Sequence, residues 1–141
     1  MRMPWLTSLT LGIGGFDDDH RHLFDLLNEL NASIAVGNQS GVRALFDELQ
    51  LAASEHFRHE EEVMARTGYP RAVAHMAEHD RARQALSMLH GEIVRGRLNR
   101  MAECLSDYAG HYFHGVLKDD ALLARFLGEQ AGTPHGGMLT L

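Results

Sequence analysis

The chain predicts an all-α fold, an up-down-up-down antiparallel four-helix bundle, on three observations. Apolar residues recur at three- and four-residue intervals in four stretches of about 20 to 27 residues, the period of a helix with one buried face. Gly37, Gly68 with Pro70, and Gly96 punctuate these stretches, leaving room only for short turns between antiparallel neighbours. Histidines and acidic residues interrupt the same apolar stripes, some at a spacing of one helical turn, and bundle interiors are where such side chains build metal sites.

At 141 residues with 45% apolar content, the chain has material for one core and too little for two. The expected organisation is an N-terminal arm over 1–16, a bundle over 17–127 and a flexible tail over 128–141, with no internal repeat or low-complexity tract. The 13 basic and 19 acidic residues give a formal charge of −6, which repels phosphate backbones and offers anionic membranes no basic patch. Nucleic acid and membrane are therefore not expected partners. The lone Cys104 suits a reducing compartment, and neither a leader nor a run of about 18 apolar residues is visible, so a cytoplasmic location is expected.

Pro4, Gly12, Gly14 and Gly15 favour an extended arm that Trp5 and Leu6 could pin to the bundle. Asp17 is the candidate cap of the first helix, whose apolar face is Leu23, Leu26, Leu27, Leu30 and Ile34, ending at Gly37. Ser40 is the candidate cap of the second, with Leu45, Leu49, Ala52, His56, Val63 and Met64 along its stripe up to Gly68. Pro70 suits the first turn of the third, which carries His75, His79, Leu86, Leu89 and Ile93 before Gly96. The fourth runs from near Leu98 to before Gly128, and Gly110 and Gly115 each cost it about 1 kcal/mol relative to alanine, so a bend near His114 is expected.

The candidate metal ligands are His20, His56, Glu60, His75, His79, His114 and Asp119. Imidazole and carboxylate donors together suit iron, manganese or zinc. One histidine on an apolar stripe is more often a hydrogen-bonded core residue than a ligand; here four helices each contribute, and two contribute at one-turn spacing. Glu60 shares a face with His56, whereas Glu61 and Glu62 point away from that line, and a carboxylate buried among histidines is costly without a cation. Asp119 stands about 140° from His114 on a regular helix, so a distorted turn must bring it inward. Gly115 makes such distortion cheap, and Asp120 is the adjacent alternative. Asp17, Asp18 and Asp19 read as charges of a helix N-terminus. His22, His59, His90 and His135 read as solvent-facing, and Cys104, Met64, Met76 and Met101 as core fillers.

At these residues the chain resembles the bacterial hemerythrins. The matching motifs are Gly12-Ile13 leading to Phe16-Asp17-Asp18-Asp19-His20, His56-Phe57-Arg58-His59-Glu60-Glu61 with Met64, Gly68-Tyr69-Pro70, His75-Met76-Ala77-Glu78-His79, and His114 with Asp119, covering about residues 5 to 127. The resemblance implies a non-heme, oxygen-bridged centre of two iron ions. His75, His79 and His114 would hold one iron, His20 and His56 the other, and Glu60 and Asp119 would bridge them. Dioxygen would bind at the open position of the second iron, be held as hydroperoxide and leave unchanged. Phe57 and Leu23 or Phe24 match walls of the oxygen pocket. Where the family has Trp-Leu-x-x-His-Ile, this chain has Gly110-His111-Tyr112-Phe113-His114-Gly115, which implies a wider pocket at Gly110 and Gly115. His111 could then stand near the open iron as a proton donor, or sit at the surface beside a locally shifted helix; an exchange of roles between His111 and His114 is a further alternative.

The leading expectation is an oxygen-binding protein that transports, stores, delivers or senses dioxygen, with sensing requiring a separate protein partner. The alternatives are a di-iron peroxidase or oxidase using His111 as acid, and an iron-handling or structural bundle. Oligomeric state is left open.

Overall fold

The structure, a computed structural model, describes residues 2–131. Its long elements are α1 (Gly14–Ala35), α2 (Gln39–Thr67), α3 (Ala72–Arg95), α4 (Leu98–His114), a π-helical turn (Gly115–Asp120) and α5 (Ala121–Ala131). His114, Gly115 and Ala121 all have right-handed helical dihedrals, so α4, the π turn and α5 form one continuous rod. With α1, α2 and α3 this rod completes a four-helix bundle in which α1 packs on α2 and α4, and α3 packs on α2 and α4.

The helix ends follow local chemistry. Gly37, Gly68 and Gly96 take left-handed φ of 72°, 65° and 70°, and each closes a helix where an L side chain would be strained. Asn38, not Ser40, caps α2, its Oδ1 accepting from the Gly41 amide at 3.1 Å while the Ser40 hydroxyl donates to the same oxygen. Pro70 precedes α3 within the turn. The Arg97 guanidinium forks onto the buried Glu92 carboxylate with two contacts of 2.8 Å, fixing the α3–α4 turn. The first helix begins three residues earlier than expected, at Gly14, and Asp17 receives the amides of Leu11 and Gly12 at 2.7 and 3.0 Å, folding the arm over the helix start.

Within the arm, Thr7–Leu9 forms a 3₁₀ turn. Trp5 pins the arm, standing edge-on to Phe24 with centroids 5.3 Å apart, and the Met3 backbone exchanges two hydrogen bonds with the Asn28 amide. Leu6 remains exposed. At the other end the helix continues through Gly128 to Ala131, part of the stretch expected as tail; residues 132–141, with Pro134 and His135, lie outside the described residues.

Buried apolar side chains fall into two clusters. The larger holds Leu23, Leu30, Leu49, Phe57, Leu89, Met101, Tyr108 and Val116 among others. The smaller holds Phe16, Val63, Met64, Tyr69, Leu123 and Leu127. Along α1, α2 and the fourth rod the change from one cluster to the other brackets a polar residue: His20 between Phe16 and Leu23, Glu60 between Phe57 and Val63, Asp120 between Val116 and Leu123. The buried polar layer is thus sealed by apolar packing on both sides. Met76, expected in the core, is 44% exposed, whereas Met64 and Met101 are buried.

Candidate metal centre

The layer is built by helical repeat. His56 and Glu60 on α2, and His75 and His79 on α3, are one turn apart and therefore face the same way, and His20 on α1 comes toward them from across the bundle. The fourth rod needs a different device. In a π turn the hydrogen bond spans five residues, which inserts one residue into the helical register and turns Asp120 inward. His20, His56, Glu60, His75, His79 and Asp120 are each at most 4% exposed.

Their donor atoms converge. Asp120 Oδ2 lies 2.7 Å from His20 Nε2, and its Oδ1 lies 2.9 Å from His75 Nε2. Glu60 Oε1 lies 3.0 Å from His79 Nε2 and 3.2 Å from His56 Nε2. Two donor groups result, His20–His56–Glu60–Asp120 and Glu60–His75–His79–Asp120, sharing both carboxylates.

The outer nitrogens of two rings are held by carboxylates. His56 Nδ1 is 3.0 Å from Asp19 Oδ2, and His79 Nδ1 is 2.8 Å from Glu61 Oε2, which Arg83 also contacts at 2.9 Å. Such a partner fixes a ring's orientation and tautomer and makes its inner nitrogen a better donor. Phe57 stacks on His79 at 4.3 Å between centroids, and Arg83 lies over the other ring, 5.0 Å from the Phe57 centroid. Asp19 and Glu61 thus have roles that reading the first as a helix-end charge and the second as pointing away from the donor line missed. His59, 3.5 Å from Asp19, joins the same edge.

Electrostatics and unsatisfied atoms both fit metal. Burial opposes a charge on His56, but Glu60, Asp120 and Asp19 outweigh it and hold the imidazole well above its ordinary range. Burial likewise opposes ionisation of Glu60, and His56, His75 and His79 overcome it, keeping the carboxyl well below its ordinary range. Glu60 Oε2 is buried without a hydrogen-bond partner. Lone pairs left unused in a layer of imidazole and carboxylate donors are what cations would satisfy.

Tyr112 braces the layer: its hydroxyl donates to the His20 carbonyl at 2.7 Å, and burial first, then Tyr108 and nearby carboxylates, raise its pKa, keeping it a neutral donor. Tyr112→Phe is expected to destabilise the metal-free protein by about 1 kcal/mol, read as a lower urea midpoint at unchanged slope. An unchanged midpoint would show that the bond contributes nothing.

The fourth rod departs from the expected ligand set. Asp120, not Asp119, enters the layer, because the π turn shifts the register by one residue. His114 is turned outward with its side chain 46% exposed, and it meets Asp119 at 3.5 Å and Glu78 in a separate group. The donor set that the structure assembles therefore holds four histidines rather than five. Burial first, then Glu78 and Asp120, raise the Asp119 carboxyl against the opposing pull of His114 and His75. His111 does not replace His114 as a donor; it is half-buried and lines the cavity over the layer. Leu23, Phe57 and Gly115 line that cavity as well. Phe24 does not, since it packs against Trp5 and Phe113, and Gly110 is exposed.

The family model described as "Hemerythrin HHE cation binding domain" matches residues 11–127. A bacteriohemerythrin of Methylococcus capsulatus is 39% identical over 81 residues, 56% of this chain and 61% of that protein. One of Stenotrophomonas maltophilia is 33% identical over 78 residues, 55% of this chain and 51% of that protein. The alignments thus span less than two thirds of these curated relatives. A crystal structure of a hemerythrin point mutant superposes with a TM-score of 0.78 at 27% identity, covering 89% of this chain and 97% of the other. The match runs from the arm through the rod that carries Asp120, so the chain belongs to the hemerythrin HHE cation-binding domain family.

Proposed function

We propose that the chain holds two iron ions between His20, His56, Glu60, His75, His79 and Asp120 and binds dioxygen reversibly there, serving its carriage, storage, delivery or sensing. The observation that carries this reading is the pair of buried donor groups sharing Glu60 and Asp120, since shared carboxylates hold two ions at bridging distance. Held by these residues, two irons would supply the two electrons that oxygen binding takes up and its release returns.

The chain's own residues provide the conditions. Leu23, Phe57, Ala82 and Val116 form apolar walls over the donors, limiting the water and protons that would make oxygen binding irreversible. The cavity of about 30 Å³ is lined by all six donor residues, so it admits small ligands and no large substrate. The single cysteine supports a cytoplasmic location; among the described residues no helix is long and apolar enough to cross a membrane. The charge of −6 disfavours nucleic acid.

One observation favours a second reading. His111, Glu78 and Asp119 line the same cavity, a polar edge from which His111 could pass a proton to reduced oxygen, as a peroxidase or oxidase requires. Cycles of anaerobic reduction and oxygen admission, followed by charge-transfer absorption of the iron-loaded protein, separate the two. Colour that returns over many cycles supports binding; rapid loss with peroxide turnover supports the enzyme, and failure to load iron removes both. His111→Leu is expected to slow loss of the oxygenated colour, and an unchanged rate would take His111 out of the chemistry.

A further inference from the structure

The paired-iron reading, on which this inference rests, leaves the donor count incomplete. Each metal position receives two imidazole nitrogens and two shared carboxylates, four protein residues, whereas octahedral ions accept about six donors. The rod formed by α4, the π turn and α5 contributes Asp120 alone; among the described residues neither His111 nor His114 joins either donor group.

What the rod presents beside Asp120 is Gly115. Its φ of −57° and ψ of −54° are ordinary right-handed helix, so the backbone does not call for glycine, which costs about 1 kcal/mol there relative to alanine. A Cβ at this position would meet nothing within 4 Å, yet the residue lines the cavity together with all six donor residues. In the π turn the five residues to Asp120 make one hydrogen-bonded turn, so the two share a face. Tyr112 reaches α1 through the His20 carbonyl, and His114 meets Glu78 of α3. Gly115 lies about 60° round the helix from Tyr112, on the way to His114, and so fronts the centre on the side turned toward α3, which carries His75 and His79.

We infer that the metal held by His75 and His79 has an exchangeable coordination position beside Gly115, open to an external nitrogen or oxygen donor about the size of an imidazole. The two metals then have matching protein ligands and both can take an outside ligand, so a small Lewis base in the cavity can touch either or both. Glycine at 115 decides this, because a side chain there fills the position.

Cobalt(II) tests the inference, since its visible absorption reports coordination number without any turnover. Imidazole titrated into the cobalt-loaded wild type is expected to change the visible bands saturably. In Gly115→His the starting spectrum already differs, and the component of the response from the metal held by His75 and His79 is weakened about tenfold or more. Gly115→Leu blocks the space without ligating, so it loses the component of the response that comes from the metal held by His75 and His79, and it covers the case in which the histidine variant does not fold. Gly115→Ala should respond as the wild type does. A wild-type spectrum insensitive to imidazole, or a Gly115→Leu protein that responds fully, overturns the inference and leaves the paired-metal reading standing. A wild type that binds no cobalt removes that reading, and this inference with it.

Discussion

Asp120→Ala is expected to lower the affinity for a metal pair by at least about 100-fold, while Asp119→Ala leaves two metals bound per chain. The asymmetry follows from reach. The two oxygens of Asp120 lie 2.7 Å from His20 Nε2 on α1 and 2.9 Å from His75 Nε2 on α3, so this one residue links the two donor groups and its loss removes a donor from both. Asp119 points to the edge, against His114 and Glu78, and serves neither group. Asp120→Asn sharpens the comparison, because the amide keeps the shape and loses the charge. Metal-to-protein ratios after equilibrium dialysis, with calorimetric titration of each variant, read the result. Two metals retained by Asp120→Ala and lost from Asp119→Ala would reverse the assignment.

That contrast also marks where sequence reasoning ran out. The apolar face of α1 was legible because Leu23, Leu26, Leu27, Leu30 and Ile34 follow the helical period, and all five are buried. His56 with Glu60, and His75 with His79, were legible for the same reason: both members of each pair ride one regular helix, and the period alone makes them neighbours. The fourth rod was not, because its spacing rule changes at Gly115. Five residues separate partners in a π turn: counted from His114 that spacing reaches Asp119, but the turn begins at Gly115, and counted from there it reaches Asp120. Glycine announced that a distortion was cheap without saying which kind. Asp19 and Glu61 escaped for another reason. Their partners, His56 and His79, sit on other helices, and contacts between helices leave no period in the sequence.

Loading two divalent metals into the metal-free protein near pH 7.5 is expected to release about two protons per chain. Burial opposes the charge on His75, but Asp120 and Glu60 outweigh it and raise its pKa to about 10, and His56 is raised well above its ordinary 6.5. Both imidazoles therefore hold a proton near pH 7.5, and a nitrogen that coordinates a metal cannot keep one. Glu60, held well below its ordinary 4.5, has none to lose. The signs then set how stability varies with pH. For the histidines the folded value lies above the unfolded one, so their contribution to the metal-free protein is fully present below about 6.5 and falls as pH rises, for His75 through about 10. For Glu60 the folded value is depressed, so its contribution is present above about 4.5 and falls as pH drops through the folded value. Raising the pH from 6 to 9 thus weakens the metal-free fold while removing the protons that compete with metal. The gap in Tm between loaded and metal-free protein should widen across that range, and the apparent affinity should rise by up to about a hundredfold per pH unit, tenfold for each proton released. A pH indicator in weak buffer counts the protons, and scanning calorimetry follows the gap. No proton release, with a gap that stays constant or narrows, would mean that His56 and His75 are neutral before metal arrives and that the layer is held by neutral hydrogen bonds rather than by imidazolium–carboxylate pairs waiting to be exchanged for cations.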